Sequence, residues 1–246
     1  MIINADFSQL EFVTAAYLSR DKVAMQEIKE GIDQHALNME KWGLPSRRIA
    51  KYFIFRILYG GRMFSADPMF NYISADQHFW DDLITQFYTK YEGIREWHND
   101  LMLEATRNGK LVMPTGRVYY FTPKYGRWPK QQILNYPVQG LAADLVSIAR
   151  VSLYRRLSSL DVEKIKLISS IHDSIVLDVD NDPELCYTIM VVLKTVINDV
   201  PQNFERLFKT PFDLPLRGDI SYGYTKKELK EWQPEVGPAD LMMSRN

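Results

Sequence analysis

A predicted helix over residues 46–61 (SRRIAKYFIFRILYGG) constrains the fold of this chain more than any other stretch. Ser46 is a favourable N-cap, and the pair Gly60-Gly61 is a strong helix stop. Apolar side chains on one side recur at a helical spacing, which predicts packing against the rest of the protein. They are Ile49, Phe53 and Ile57.

The opposite side carries two cations and then two aromatic rings, Arg47, Lys51, Phe55 and Tyr59, at four-residue intervals. Each such step turns the helix by only about 40°, so the four share one face over roughly 18 Å. Cations near a helix N-terminus oppose the macrodipole and cost about 0.3–1 kcal/mol each. The pattern is favourable if an anion binds there and a flat group lies further along, as in a nucleoside triphosphate. A solvated basic face is the alternative that spacing alone leaves open.

Composition excludes several classes of protein. The chain has 246 residues, of which 46% are hydrophobic and 25% charged, as is typical of a globular protein with a substantial core. It lacks an apolar run of about 18 residues and a signal-peptide pattern, so we expect no membrane association and a cytoplasmic location. The single cysteine, Cys186, excludes an intramolecular disulfide and a cysteine-based zinc site.

The net charge of −1 does not indicate a nucleic-acid-binding protein, but the distribution of charge does. Residues 41–63 hold six Lys or Arg and no Asp or Glu, and residues 107–143 hold six more, again without an acid. Both windows are rich in aromatic residues, which is typical of a surface that follows a phosphate backbone. Chance clustering among the 30 basic residues is the alternative.

The remaining pattern favours an α+β fold, with helices and a few adjacent short strands. Residues 1–7 predict a buried strand with Asp6 at its end, where an aspartate is most often a helix N-cap and less often a metal ligand. Residues 166–179 predict a hairpin with His172 and Asp173 at its tip. Further strands are predicted around 110–121 and 214–224. Helices are predicted over 8–19, over 21–42 in two pieces broken near Gly31, and over 75–91, 94–108, 131–160 and 185–198.

Four segments together resemble the motifs of family A (DNA polymerase I-like) DNA polymerases, in the family's order. DFSQLE at 6–11 resembles motif A, and RRxAKxxxFxxxYG at 47–60 resembles motif B, the nucleotide-binding O helix. NYPVQGLAAD at 135–144 resembles the family's NxPxQGxAAD segment, and IHD at 171–173 resembles motif C. One motif alone would be weak, but four in register over residues 6 to about 232 are a specific signal.

The resemblance implies a right-hand palm, an antiparallel sheet with helices, into which helical fingers are inserted. It places residues 1–18 in the first palm segment, 19–130 in the fingers, 131–232 in the second palm segment and 233–246 in a flexible tail. No thumb is expected within this chain, since it begins almost at motif A. The chain is then either a fragment of a truncated polymerase or part of a split one. We favour the split polymerase of a phage or virus in the host cytoplasm, in which a second polypeptide supplies the thumb, the rest of the palm and any exonuclease.

The implied activity is that of a DNA-directed DNA polymerase, a nucleotidyltransferase of DNA replication that adds dNTPs to a primer 3′-hydroxyl on primer-template DNA and releases pyrophosphate. This reaction uses two divalent metal ions, Mg²⁺ with Mn²⁺ as a substitute. The resemblance implies that Asp6, Asp173 and the backbone carbonyl of Phe7 are metal ligands. Lys51 is implied as the catalytic proton donor to pyrophosphate.

The resemblance also implies a set of nucleotide and DNA contacts. Arg47, Lys51 and His35 would hold the triphosphate, Phe55 would lie against the sugar, and Tyr59 would stack at the template position. Glu11 would exclude a 2′-hydroxyl, and Gln9 belongs to the same nucleotide site. The implied DNA contacts are Asn135 and Gln139 in the minor groove, His172 at the primer terminus, and Arg117.

Two departures weaken single contacts of the family pattern. Motif C usually continues His-Asp-Glu, but here Ser174 follows, so an acidic group near the metals is missing. The family's Arg four residues before Asn135 is Gln131 here. Ser174 leaves a single-subunit phage-type RNA polymerase as an alternative, which Glu11 opposes. A non-catalytic DNA-binding subunit with a decayed site is the second alternative.

Overall fold

The computed structural model describes residues 1–61, 67–74, 76–158 and 163–241. Its elements, in chain order, are β1 (Ile2–Phe7), α1 (Leu10–Ser19), α2 (Lys22–Glu30), α3 (Gln34–Lys41), α4 (Arg47–Leu58), α5 (Pro68–Asn71), α6 (Gln77–Lys90), α7 (Glu92–Asn108), β2 (Lys110–Val112), β3 (Val118–Tyr120), α8 (Lys130–Leu157), β4 (Ile165–Ile171), β5 (Ser174–Val179), α9 (Pro183–Asn198), α10 (Val200–Phe208), β6 (Gly218–Gly223), β7 (Lys230–Glu231) and α11 (Pro238–Leu241). Helices and an antiparallel sheet confirm the predicted α+β class.

Contacts divide the chain into two units, each of which is described by itself. The sheet unit comprises Met1–Leu10 and Ala142–Asn246, and the helical unit comprises Glu11–Leu141. The helix α8 contributes its first part to the helical unit and the rest to the sheet unit. The finer division at residues 18, 130 and 232 into palm, fingers and tail stays a prediction.

The sheet unit is built on β1, the middle strand of a five-stranded sheet with the order β4-β5-β1-β6-β7. Its neighbours β5 and β6 both run antiparallel to it. The side chains of Ile3, Ala5 and Phe7 alternate into the core, while Asn4 and Asp6 lie on the other, partly exposed face. The helix α9 packs against β1 and β6, and its buried stripe supplies the second layer of the core.

Several boundaries differ from the sequence prediction. The helix α10 was not predicted, although Val200, Phe204 and Phe208 recur at four-residue spacing; Val200 and Phe204 are buried, and the rings of Phe204 and Phe208 are in contact. The helix α11 lies in the stretch expected to be a flexible tail, and it packs on α9 through the buried Leu241. Residues 242–246 of that stretch, Ala75 at the predicted start of α6, and residues 159–160 of the predicted helix 131–160 lie outside the described residues.

A buried polar network ties three helices of the helical unit together. Lys90 Nζ lies 2.8 Å from Glu27 Oε1 and donates to Asn38 Oδ1 at 2.8 Å. The Tyr91 hydroxyl donates to Glu27 Oε2 at 2.8 Å and accepts from Asn38 Nδ2 at 2.9 Å. Burial lowers the pKa of Lys90 even though Glu27 opposes the shift. Because each polar group in this network has a partner, the network fixes how α2 and α3 pack against α6 and its C-terminal end.

Within the described ranges, no helix combines the length and the apolar composition that crossing a lipid bilayer requires.

Stability is expected to fall between pH 6.5 and pH 4 because two histidines are buried in the helical unit. Burial lowers the pKa of His98 to about 4, the charge of Lys130 adds to this shift, and burial likewise lowers the pKa of His35 to about 4. Below pH 6.5 the unfolded chain binds protons that the folded chain does not, so acid favours unfolding. From pH 7 to pH 5 we expect a loss of roughly 2 kcal/mol for each histidine.

The measurement is the free energy of unfolding by urea at both pH values for the wild type and His98→Gln. The variant should lose roughly half as much stability as the wild type over this interval. An unchanged pH dependence in the variant would contradict the assignment to His98.

Candidate functional site

The two predicted metal-binding aspartates lie at neighbouring register positions of the sheet unit. Asp6 is paired with Ser174 across the β1–β5 ladder, so Asp173 lies one residue further along. The Phe7 N–H donates to the carbonyl oxygen of Asp173 at 3.0 Å, which extends the ladder to the hairpin tip. His172 occupies the tip with a φ of 53°, a left-handed conformation that a tight turn requires. The sheet therefore brings Asp6 and Asp173 to neighbouring register positions, although they are 167 positions apart in the sequence.

A third acidic residue, Asp219, lies on the other side of β1 and was missed by the sequence analysis. It is paired directly with Asp6 in the β1–β6 ladder, and directly paired residues point to the same face with Cβ atoms about 4.5–5.5 Å apart. The Ser8 hydroxyl donates to Asp219 Oδ2 at 3.1 Å. Only the alternating pattern of β6 could have indicated that Asp219 is exposed, and nothing in the sequence gives its register with Asp6.

Ser174, which replaces the expected glutamate of motif C, is buried and has a structural partner. Its hydroxyl donates to the carbonyl oxygen of Ile171 at 2.9 Å, across the hairpin turn. It closes the turn that carries His172 and Asp173. Ser174 therefore stabilises the turn and adds no negative charge at this position.

The oxygen donors at this end of β1 and β5 fit a hard divalent cation. Asp6, Asp173 and the Phe7 carbonyl supply oxygen ligands only, which Mg²⁺ prefers. Within the described ranges, no group of three or more His, Cys, Asp or Glu side chains is arranged to hold a metal ion. The fit therefore rests on the two carboxylates and the backbone oxygen.

In the helical unit, α4 forms as the sequence predicts. Ser46 caps it by accepting from the Ile49 N–H at 3.3 Å, and the chain leaves the helix through Gly60 with a φ of 69°. The stripe of Ile49, Phe53 and Ile57 is buried, as expected. On the other side, Arg47 and Lys51 are exposed, and Phe55 and Tyr59 are partly exposed with their rings stacked at 6.1 Å.

Arg47 has an acidic partner that the sequence analysis did not identify. Its Nε donates to Asp33 Oδ2 at 2.6 Å. The other carboxylate oxygen, Oδ1, accepts from the N–H groups of His35 and Ala36 and so caps α3. Burial alone would raise the pKa of Asp33, but the hydrogen bonds and the charge of Arg47 outweigh it and lower the pKa. Asp33 thus joins the N-terminal ends of α3 and α4.

His35 is buried between this ion pair and the aromatic rings of α4. Its ring meets Phe55 edge to face at 5.4 Å, and Lys51 Nζ lies 5.3 Å from the centroid of Phe55. Burial is the main cause that lowers the pKa of His35 to about 4, Asp33 opposes the shift, and Arg47 and Lys51 add to it. Neither ring nitrogen has a hydrogen-bond partner among the residues that the structure describes. A buried polar ring without partners is costly, which is typical of a ligand position.

The predicted DNA contacts of the helical unit lie on or beside α8. Gln139 is exposed and its Nε2 donates to the Tyr59 hydroxyl at 2.6 Å, so these two predicted site residues meet directly. Asn135 lies one turn earlier, and its side-chain oxygen is buried without a hydrogen bond. Arg117 is exposed on the turn between β2 and β3.

The two remaining predicted nucleotide residues lie at the β1–α1 junction. Gln9 has a left-handed backbone with a φ of 54°, and its Oε1 is buried without a hydrogen bond. Glu11 lies in the first turn of α1, where a negative charge is favourable for the helix dipole. The described geometry of each unit is compatible with the predicted roles, and the roles themselves stay predictions.

Comparison with known proteins places this geometry in a family. The model of DNA polymerase family A matches residues 1–228. A thermostable DNA polymerase I of Thermus filiformis is 28% identical, over 94% of this chain and 27% of its own length. A DNA polymerase I of Lactococcus lactis subsp. lactis is 27% identical, over 94% of this chain and 26% of its own length. The chain thus spans about a quarter of the length of these curated relatives.

A solved structure shows the same fold. The POL domain of Pol1 from M. smegmatis, in complex with DNA primer-template and dNTP, aligns with a TM-score of 0.75. The alignment covers 91% of this chain and 39% of that one, at 19% sequence identity.

The double role of Asp33 predicts different losses for two substitutions. Asp33→Ala removes both the α3 cap and the partner of Arg47, and we expect a loss of about 1–2 kcal/mol in the free energy of unfolding. Asp33→Asn keeps a side-chain acceptor for the cap and loses only a largely exposed ion pair, worth about 0–1 kcal/mol. Urea unfolding measures both, with Arg47→Ala as the control that breaks the ion pair alone. Equal losses for the two Asp33 variants would contradict the capping role.

Proposed function

The chain belongs to DNA polymerase family A, and on that premise we propose that it carries out template-directed DNA synthesis. It would add dNTPs to a primer 3′-hydroxyl on primer-template DNA with release of pyrophosphate. The observation that carries this proposal is the register of the sheet unit. Asp6 on the central strand lies beside Asp173 at the hairpin tip, at the two positions where the family's motifs A and C place their carboxylates.

In this proposal Asp6, Asp173 and the Phe7 carbonyl hold two magnesium ions, for which manganese can substitute. When bound, such ions activate the attacking hydroxyl and neutralise charge on the phosphates. Asp219 adds negative charge next to Asp6 and would strengthen the attraction for cations where the motif C glutamate is missing.

The helical unit supplies the groups that bind the nucleotide. Arg47 and Lys51 present their charges at the N-terminal end of α4, where the helix dipole also attracts an anion. His35, neutral because its pKa is low, donates a hydrogen bond from a ring N–H to a phosphate oxygen. Lys51 gives a proton from Nζ to the leaving pyrophosphate. The partly exposed ring of Phe55 packs against the sugar.

The DNA contacts of the proposal come from both units. In the helical unit, Tyr59 stacks at the template position, and Asn135 and Gln139 donate to minor-groove acceptors that all base pairs share. Arg117 contacts a phosphate. In the sheet unit, His172 at the hairpin tip approaches the primer terminus.

The proposal includes a second polypeptide that supplies a thumb and the rest of the palm. It also includes a cytoplasmic location for the protein. This chain covers 27% and 26% of the lengths of two curated relatives, and the proposal assigns the thumb and the rest of the palm to the partner. The basic windows at 41–63 and 107–143 supply part of the grip on DNA, and the partner would supply the rest.

Metal-dependent primer extension tests the catalytic assignment. The full chain is assayed with dNTPs and Mg²⁺, alone and with the relatives' thumb-containing region added. Asp173→Asn should lower the rate about 100-fold or more, because several kcal/mol of transition-state stabilisation depend on the metal. Asp180→Asn, which changes an exposed carboxylate just beyond β5, is the matched control and should retain the wild-type rate. If the wild-type chain shows no metal-dependent incorporation under either condition, the alternative of a non-catalytic DNA-binding subunit is favoured.

The preference for dNTPs over rNTPs tests the role of Glu11. It also distinguishes the proposal from a phage-type RNA polymerase, the alternative that Ser174 favours. Glu11→Ala should relax the preference for dNTPs over rNTPs roughly 10-fold or more, since space for a 2′-hydroxyl opens. Glu11→Gln keeps the size of the side chain and should keep most of the preference. The ratio of kcat/KM for the two nucleotides is the measurement, and a wild type that prefers rNTPs would overturn the proposal.

A further inference from the structure

An exposed hairpin of the helical unit has the properties of a stacking surface, and the function proposed above gives its exposed tyrosines no role. It consists of the outer face of the β2–β3 ribbon and the turn that follows at Lys124–Arg127, and we call both together the hairpin surface. Tyr120 is 76% exposed on the ribbon, and Tyr125 is fully exposed on the turn. Two large aromatic side chains left in water within six residues are unusual.

The register of the ribbon places a cation and apolar groups beside Tyr120. Lys110 is paired directly with Tyr120, and Val112 is paired directly with Val118. Directly paired and alternate residues share a face, so these four side chains form one continuous outer surface. All four are exposed.

The turn presents Tyr125 at its tip between two more cations. The N–H groups of Lys124 and Arg127 each donate to the other's carbonyl oxygen at 2.9 Å, which closes a two-residue turn. Tyr125 and Gly126 both have positive φ, 51° and 71°, as a type I′ turn requires. For a tyrosine this backbone costs about 1–2 kcal/mol. The turn therefore holds a bulky ring outward at some cost in stability.

The charge of this region is complementary to a polyanion. Residues 107–143 contain six cations and no acid, and the cations at 110, 117, 124, 127 and 130 are all exposed. A protein partner of mixed charge would find no acidic groups to match its own cations here. Interleaved cations and aromatic rings are the pattern that binds single-stranded nucleic acid, because unpaired bases offer free π faces.

The inner face of the hairpin fixes this surface next to the predicted DNA contacts. Tyr119 packs on Tyr136 of α8 at 5.5 Å between ring centroids, and Phe121 packs on the same ring at 6.0 Å. A Cβ on Gly140 would lie 1.7 Å from the Tyr119 hydroxyl, so the hairpin approaches α8 as closely as a glycine allows. Gly140 follows Gln139 directly. The hairpin surface is thus attached to the segment of α8 that carries the proposed minor-groove contacts.

We propose that the hairpin surface binds the unpaired, single-stranded template, with Tyr120 and Tyr125 stacking on bases and Lys110, Lys124 and Arg127 on phosphates. The identification of the strand as template rests on the proposed polymerase function. The binding of a single strand rests on the surface itself. Four residues lie between the two tyrosines, so their backbones are at most about 17 Å apart, a distance that a short single strand of a few nucleotides spans.

The binding test uses the full chain and a fluorescently labelled single-stranded oligonucleotide of about 12 nucleotides, within the usual site sizes. Anisotropy gives the Kd. Tyr120→Ala and Tyr125→Ala should each weaken binding roughly 5- to 100-fold, whereas Tyr120→Phe, which keeps the ring, should not. Tyr154→Ala is the matched control, since Tyr154 is as exposed on α8 of the sheet unit. Lys124→Ala combined with Arg127→Ala should reduce the slope of log K against log salt by about 1.4.

Primer extension distinguishes a failure of this inference from a failure of the proposed function. On templates with a long single-stranded overhang, Tyr120→Ala combined with Tyr125→Ala should raise the KM for DNA, and on a one-nucleotide overhang it should match the wild type. If no synthesis occurs, either with the chain alone or with the thumb-containing region added, but the oligonucleotide binds with the expected losses, the inference about the hairpin surface holds and the polymerase proposal is wrong. Unchanged oligonucleotide binding in both tyrosine variants overturns the inference. An equal loss of binding in Tyr154→Ala also overturns it.

Discussion

The structure of the sheet unit depends on the pairing of β1 with a strand on each side. Because β5 and β6 both bond to it, the backbone groups of β1 are satisfied in both directions, as a buried strand requires. The alternation of Ile3, Ala5 and Phe7 into the core then fixes its register, since a shift by one residue would turn Asp6 into the core and these side chains out. The position of Asp6 between Ser174 and Asp219 follows from this constraint alone.

In the helical unit, the main constraint is electrostatic, because cations lie at the N-terminus of a helix. The positive end of α4 disfavours Arg47, and the carboxylate of Asp33 offsets that cost through a short ion pair. Because the same carboxylate caps α3, the position of Arg47 is coupled to that of His35 two residues later. The buried network around Glu27 and Lys90 holds α3 from its other side. The packing thus fixes the cations at the end of α4 where we propose that the triphosphate binds.

Much of this could be predicted from residue patterns because it depends on local periodicity. The α4 stripe, the hairpin with His172 and Asp173 at its tip, and the Ser46 cap follow from spacing and turn chemistry, and the structure has all three. The helix α10 also follows such a period, since Val200, Phe204 and Phe208 recur every four residues, but it was not among the predicted helices. The role of Asp33 could not be predicted, because its partner lies 14 positions away and side-chain pairing at that distance has no sequence signature.

The sequence by itself determined the family, the types of element and the identity of the chemical groups, because motifs and periodicities are properties of neighbouring residues. Tertiary structure alone decided which groups meet. The pairing of Asp6 with Asp219, the contact of Gln139 with Tyr59, and the outward face of Tyr120 are set by strand register and helix packing. These depend on how the chain buries its apolar surface as a whole, and no local pattern encodes a distance between residues that are far apart along it.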